Sequence, residues 1–422
     1  MTHRRSFLSR VATGAAGLLG AQTALKAEAG PAGPPLPVEM PDLKKLPSRL
    51  VNGVREFHLT AEVVRTEFVP GRPVDAWGFN GSVPGPLMEA TEGERVRVVF
   101  HNNLPEMTAV HWHGFEVPME MDGSLGLGQD PVMPGGMFVY EFTLNQHGTF
   151  FYHSHFPMQE MMGMLGMFVL HPKKPQTPRV DRDFGLAIQG WALLPNNNVP
   201  NSLAMEFNWL TFNGKSGPDC TPMLVKQGER VRLRLINLSM DHHPIHLHGN
   251  TFYVTGTEAG RVPEGMWYPQ NTVIVGVAQA RDVEFDAKFP GDWMIHCHLP
   301  HHMMNQMVTM VGPMSHGPGS FPVDDPAKKE VPGYPQDMWM NMDAYVRPRA
   351  EHHGLRAGWP AAMMGMMSVV RVLTPEKFDE IERLKASGAL PAAPVKPAMP
   401  PGHEHHHHPM PAPAPKKKGG AK

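Results

Sequence analysis

From Arg95 to Phe100 the chain reads Arg-Val-Arg-Val-Val-Phe, polar and apolar in turn before it runs apolar. Val231 to Ile236 (Val-Arg-Leu-Arg-Leu-Ile) behaves likewise. A period of two is that of a strand with one face in a core. Strand-and-turn patterning fills most of the chain after a Pro-rich linker between Pro31 and Pro41. Only near the C-terminus does the period lengthen. There Phe378, Ile381 and Leu384 share one helical face. Thr374 serves as N-cap, Pro375 takes the first helical position and Gly388 supplies the stop. This spacing predicts a helix over 375–387.

The two alternating strands belong to an internal repeat. Gly93-Glu94-Arg95-Val96-Arg97 recurs as Gly228-Glu229-Arg230-Val231-Arg232, and Asn102 as Asn237. His111-Trp112-His113-Gly114 recurs as His246-Leu247-His248-Gly249, and GTFFYHSH (Gly148 to His155) as GDWMIHCH (Gly291 to His298). The chain is therefore expected to be all-β, with two homologous domains over 50–172 and 180–313, each the size of one β-sandwich. Residues 315–390 lie outside the repeat as an extension carrying the helix. The Pro-, Ala- and Lys-rich 391–422, with His403 and His405–His408, reads as a disordered tail.

Composition sharpens this picture. A formal net charge of −2 over 422 residues argues against a large nucleic-acid footprint. The 25 His and 32 Met are well above ordinary usage, and there are two Cys. Imidazole and thioether are copper ligands, and thioether favours Cu(I). Cys220, in a turn-like run, reads as a loop thiol without function. His3-Arg4-Arg5-Ser6-Phe7-Leu8, an apolar small-residue run from Val11 to Leu25 and Ala27-Glu28-Ala29 read as an export signal over 1–29 followed by a linker over 30–49. The apolar run is too short and too weakly apolar for a good transmembrane span.

The chemistry concentrates in His296-Cys297-His298-Leu299-Pro300-His301-His302-Met303-Met304-Asn305-Gln306-Met307. On a strand, Cys297 points to one face, and His296 and His298 point to the other. Cys297, His302 and Met307 with one more imidazole make the ligand set of a blue-copper centre. A structural zinc site, or a buried cysteine among surface histidines, is the plainer alternative. Self-alignment supplies the missing imidazole. It sets Thr108 against His243, Ser154 against Cys297, Gln159 against His302 and Met164 against Met307. Only the second repeat has a complete set. Four HxH pairs remain: His111/His113, His153/His155, His246/His248 and His296/His298. Eight neutral imidazoles would ligate three copper ions with positions open to dioxygen. A zinc hydrolase would want a carboxylate ligand or base and would leave Cys297 unexplained.

With these motifs the sequence resembles the multicopper oxidases over about residues 75–313. HWHG, HSH, HPIHLHG and HCHLPHHMMNQM carry the resemblance. It implies two consecutive cupredoxin-like Greek-key β-sandwiches. It also implies four coppers per subunit equivalent, one type 1, one type 2 and two type 3. By position, His243, Cys297, His302 and Met307 would bind the type 1 ion, and His111 and His246 the type 2 ion. His113, His153, His155, His248, His296 and His298 would bind the type 3 pair. His155 and His243 are too close in sequence for a third intervening domain. The chain is similar to two-domain members, which form homotrimers with each cluster shared between neighbouring subunits.

The implied activity is one-electron oxidation of a reductant, Cu(I) or another metal ion or a phenol, coupled to four-electron reduction of dioxygen to water. Asp122 matches an acidic residue placed near the cluster in relatives, whereas Met303 stands where some relatives have an acid after the second type 1 histidine. His242 and His301 read as surface or supporting residues. Met158, Met161, Met162, Met303, Met304, Met310 and Met314 are candidates for a Cu(I)-handling surface, while Met164 and Met167 read as core. Met363, Met364, Met366 and Met367 read as packing. The expected setting is periplasmic or otherwise exported, by the twin-arginine route, with no membrane span in the mature chain. A copper-sequestering protein with incidental turnover is the alternative from another class. A copper nitrite reductase fits less well, since its type 1 set lies in the first domain.

Overall fold

A computed structural model describes residues 35–194, 197–303, 305 and 342–390. The export signal, Met304, Met307, Met310, Met314 and the His-rich tail lie outside the described residues. Among those described, the architecture is all-β, with strands in four sheets. Val54–Glu67 runs parallel to Arg95–Asn102, which pairs antiparallel with Met137–Thr143. Facing them, Gly85–Thr91, Leu165–His171, Gly148–Ser154 and Val110–His113 form the second sheet in that order. Val96, Val98 and Phe100 point between the two sheets and are fully buried with Trp112, Phe150 and Phe168.

The same arrangement recurs further along the chain. Arg182–Trp191 runs parallel to Arg230–Asn237, which pairs with Gln279–Asp286. Opposite them, His243–Leu247 pairs with Gly291–Cys297 and with Thr272–Val275.

Strand Met367–Leu373 departs from the sequence reading, which placed it in an extension beyond residue 313. It lies inside the second sandwich, parallel to Met223–Lys226 on one side and antiparallel to Gly291–Cys297 on the other. All seven of its residues are buried. It fills the slot that Leu165–His171 fills in the first repeat, between a short parallel strand and the strand bearing HxH. The helix, Pro375–Ser387, follows directly and ends at Gly388 in the left-handed region. Its Phe378 and Ile381 pack on Leu224 and Leu373.

The two sandwiches share an apolar seam in which Leu87, Phe151, Leu165, Met167 and Val169 meet Ala187, Ile236, Leu238 and Ala280. A buried ion network adjoins it. Arg234 donates from Nε and Nη2 to Asp183 at 2.7 and 2.8 Å and from Nη1 to Thr149 at 2.7 Å. Thr149 in turn donates to Asp282 at 2.6 Å. Arg232 joins Asp183 and Glu284. Charges taken this far from water persist because each has a partner.

Candidate metal centre

Strand register builds the site. His111 pairs across the sheet with His153, and Val110 with Ser154. In the second repeat His246 pairs with His296, and Ile245 with Cys297. Each HxH pair projects from one face of its strand, so adjacent strands present four imidazoles together. In the first repeat, His111 lies 5.7, 5.2 and 5.3 Å, ring to ring, from His113, His153 and His155. In the second, His246 lies 4.8, 5.5 and 5.5 Å from His248, His296 and His298. Among the described residues the histidine–histidine ring contacts of each quartet stay within it. His155 and His298, which occupy equivalent places, are exposed.

Hydrogen bonds select the nitrogens. Nδ1 of His111 donates to the Asp122 carbonyl at 2.7 Å, and Nδ1 of His246 to the Asn271 carbonyl at 2.7 Å. His153 and His296 donate from Nδ1 to the carbonyls of Ser154 and Cys297, at 2.7 and 2.8 Å. A ring whose Nδ1 carries the proton leaves Nε2 with a lone pair for a metal. Nε2 of His248 lies 3.0 Å from Nε2 of His296, and Nδ1 of His113 lies 3.4 Å from Nε2 of His153. Burial chiefly, then the neighbouring histidines, pushes His113 down to about 4. Burial also lowers His111, His248 and His296. These rings are neutral at neutral pH, the state a metal ligand needs.

On the opposite face of strand Gly291–Cys297 a second group forms. Sγ of Cys297 is 3.5 Å from Nδ1 of His243 and 3.6 Å from Nδ1 of His302, and the two Nδ1 atoms are 3.2 Å apart. An ion central to that triangle would sit about 2 Å from each donor, close to the usual metal–nitrogen distance. All three residues are buried. Desolvation pushes His243 down to about 3 and the Cys297 thiol up to about 12. Cys297 would have to give up its thiol proton to hold a metal ion here. Two imidazoles and one thiolate in a trigonal set are the equatorial ligands of a blue-copper centre. The donor set therefore fits copper. The fourth expected ligand, Met307, lies outside the described residues.

Residues 61–175 and 194–314 each match a multicopper oxidase family. The chain belongs to the multicopper oxidase family. It is 39% identical over 164 residues to a copper resistance protein A homolog of Pseudomonas syringae pv. tomato, a match covering 39% of this chain and 28% of that protein. It is 32% identical over 273 residues to a dihydrogeodin oxidase of Aspergillus terreus, covering 55% and 43%. The chain spans about a quarter of the length of the copper resistance proteins it matches. Among solved structures, a blue copper oxidase from Nitrosomonas europaea superposes with a TM-score of 0.56 at 31% identity, covering 60% of this chain and 81% of that one. Membership of the multicopper oxidases implies copper as the metal and a cupredoxin fold for the sandwiches.

Several residues gain a place that sequence left open. Asp122 has its carbonyl on His111 and its carboxylate 3.5 Å from the same Nδ1, with Ser124 donating to it. Gly123 makes this approach feasible. Its φ is +87°, and a Cβ there would lie 2.1 Å from the Val110 carbonyl. His242 accepts from the Val277 amide and His301 is exposed, both outside the two quartets and the Cys297 group. Met164 and Met167 are core, as are Met363, Met364, Met366 and Met367. Cys220 is buried in the core of the second sandwich rather than set in an open loop. Sequence reasoning missed Asp241, 3.5 Å from Nε2 of His302, and Glu160, 3.2 Å from Nδ1 of His153. The repeat held a signal for the second. One residue beyond the Gln159/His302 match, Glu160 falls against Met303.

Proposed function

We propose that this chain is an exported oxidase that couples one-electron oxidation of Cu(I), another metal ion or a phenol to reduction of dioxygen. His243, Cys297, His302 and Met307 would hold a type 1 copper. His111 and His246 would hold a type 2 copper, and His113, His153, His155, His248, His296 and His298 a type 3 pair. Bound there, copper would supply the redox chemistry: single electrons accepted from a reductant, and four electrons delivered with four protons to turn dioxygen into two waters.

The chain's own part is wiring and placement. The observation that carries the reading is the position of Cys297. Its thiol belongs to one group while its backbone neighbours, His296 and His298, belong to the other. Two bonded residues thus join both groups. His302 reaches toward the partly exposed Asp241, the side from which a reductant would approach. Asp122 holds the His111 tautomer and is placed to pass protons.

Each quartet has too few imidazoles for three ions and an exposed member. Both features support a cluster completed by the quartet of a neighbouring copy, in a homotrimer. Export by the twin-arginine route belongs to the same reading. Among the described residues no helix is long and apolar enough to cross a membrane.

The test is oxygen uptake by copper-loaded protein with Cu(I), Mn(II) and a phenol side by side. Uptake with one of them, abolished in Cys297→Ser, is expected; no uptake with any overturns the reading. A second reading, copper sequestration, draws on exposed thioethers such as Met205 and Met266, 73% and 67% accessible. Copper tolerance undiminished by Cys297→Ser would favour it.

A further inference from the structure

Glu160 sits in the short helix Pro157–Met161, immediately after the strand that carries His153. Its Oε1 is 3.2 Å from Nδ1 of His153, whose side chain is 7% exposed against 23% for the glutamate. The same Nδ1 donates to the Ser154 carbonyl at 2.7 Å. The imidazole edge turned away from the quartet thus has a carbonyl as its hydrogen-bond acceptor and a carboxylate within ion-pairing distance.

The second repeat provides the control. His296 occupies the equivalent strand position, and its Nδ1 donates to the Cys297 carbonyl at 2.8 Å. Met303 stands where Glu160 stands in the first repeat. Among the described residues no carboxylate lies within ion-pairing distance of His296. The two halves thus share a backbone acceptor and differ by a carboxylate.

We propose that Glu160 is a positioning residue for metal at the first-repeat quartet: its carboxylate holds His153 in the Nδ1–H form and strengthens Nε2 as a ligand. A carboxylate behind a ligating imidazole fixes tautomer and ring orientation and raises ligand basicity; loss of such a partner typically costs about 10–100-fold in metal affinity or activity. The proposal rests on the reading that His153 ligates copper. It assigns a carboxylate behind His153 in the first repeat, where the second has methionine at the aligned position.

The test compares copper-loaded wild type, Glu160→Gln and Glu160→Met during titration with a copper chelator. Copper per chain is measured by elemental analysis, and the visible band of the Cys297 centre serves as internal reference. Glu160→Gln keeps the size and one acceptor oxygen while removing the charge, so packing is preserved. The expected result is loss of the non-blue copper at about tenfold lower chelator in Glu160→Gln, and lower still in Glu160→Met, with the blue band unmoved. A chelator midpoint for Glu160→Gln within about twofold of wild type overturns the assignment. Wild type that never carries copper beyond the blue ion overturns both this assignment and the oxidase reading.

Discussion

The second repeat holds His243, Cys297 and His302; the same positions of the first hold Thr108, Ser154 and Gln159. The backbone is alike, since Ser154 pairs with Val110 as Cys297 pairs with Ile245. Burial is alike as well: Thr108 and Ser154 are fully buried and Gln159 is 3% exposed. The chemistry is opposite. Ser154 donates to Gln159 at 2.7 Å, lies 3.2 Å from the Thr108 hydroxyl and accepts from the Phe156 amide. Gln159 donates onward to the Met107 carbonyl at 2.9 Å. That trio satisfies itself. The other turns three soft or nitrogen donors inward at 3.2–3.6 Å and, among the described residues, leaves Nε2 of His243 buried without a hydrogen-bond partner. One fold thus makes a closed polar knot or a candidate cation site, according to whether the side chains can satisfy one another.

The hardest blow to this contrast is Cys297→Ser, which gives the second trio the hydroxyl of the first. The expected outcome is loss of one copper per chain and of the visible band near about 600 nm, while the fold is kept. A serine variant that stays blue would break the comparison.

Acid gives the next effect. In the metal-free protein His243 and His113 sit at about 3 and about 4, below the ordinary 6.5. The unfolded chain therefore takes up more protons as pH falls through about 6.5. The stability these neutral rings carry is complete above that pH and is lost progressively toward their folded values. The Thr108–Ser154–Gln159 trio contributes nothing to this, having no titrating group. Denaturant midpoints of metal-free protein that stay flat from pH 7 to 5 would contradict it.

Ser154→Ala opens the closed knot. Thr108 and Gln159 lose their shared hydroxyl, at a cost of about 1–3 kcal/mol, with copper content unchanged. Chemical denaturation and elemental analysis on one preparation check both halves of that statement. The smallest effect concerns the seam. Thr149→Val removes the hydroxyl shared by Arg234 and Asp282 and should cost about 1–2 kcal/mol. A neutral result would mean that the salt bridges of Arg234 to Asp183 and Asp282 already satisfy both ions.

Period-two strands, the repeat and its aligned differences were legible in the sequence. They placed His243 with Cys297 and His302, paired the HxH segments and denied the first repeat a thiolate, because strand alternation and register translate spacing directly into facing. The helix at Pro375–Ser387 was legible for a similar local reason, a cap, a proline and a three-residue apolar step.

Tertiary structure alone decided the rest. Nothing in Met-Ser-Val-Val-Arg-Val-Leu says that it will run beside the Cys297 strand, some seventy residues away in the chain. A sheet's open edge accepts any buried apolar strand that reaches it. Arg97 and Arg234 are both polar positions of an alternating strand. Yet Arg97 meets Glu141 at a partly open surface, while Arg234 is sealed under Thr149 of the other repeat. Burial is a property of what packs against a face, and that partner is written elsewhere in the chain.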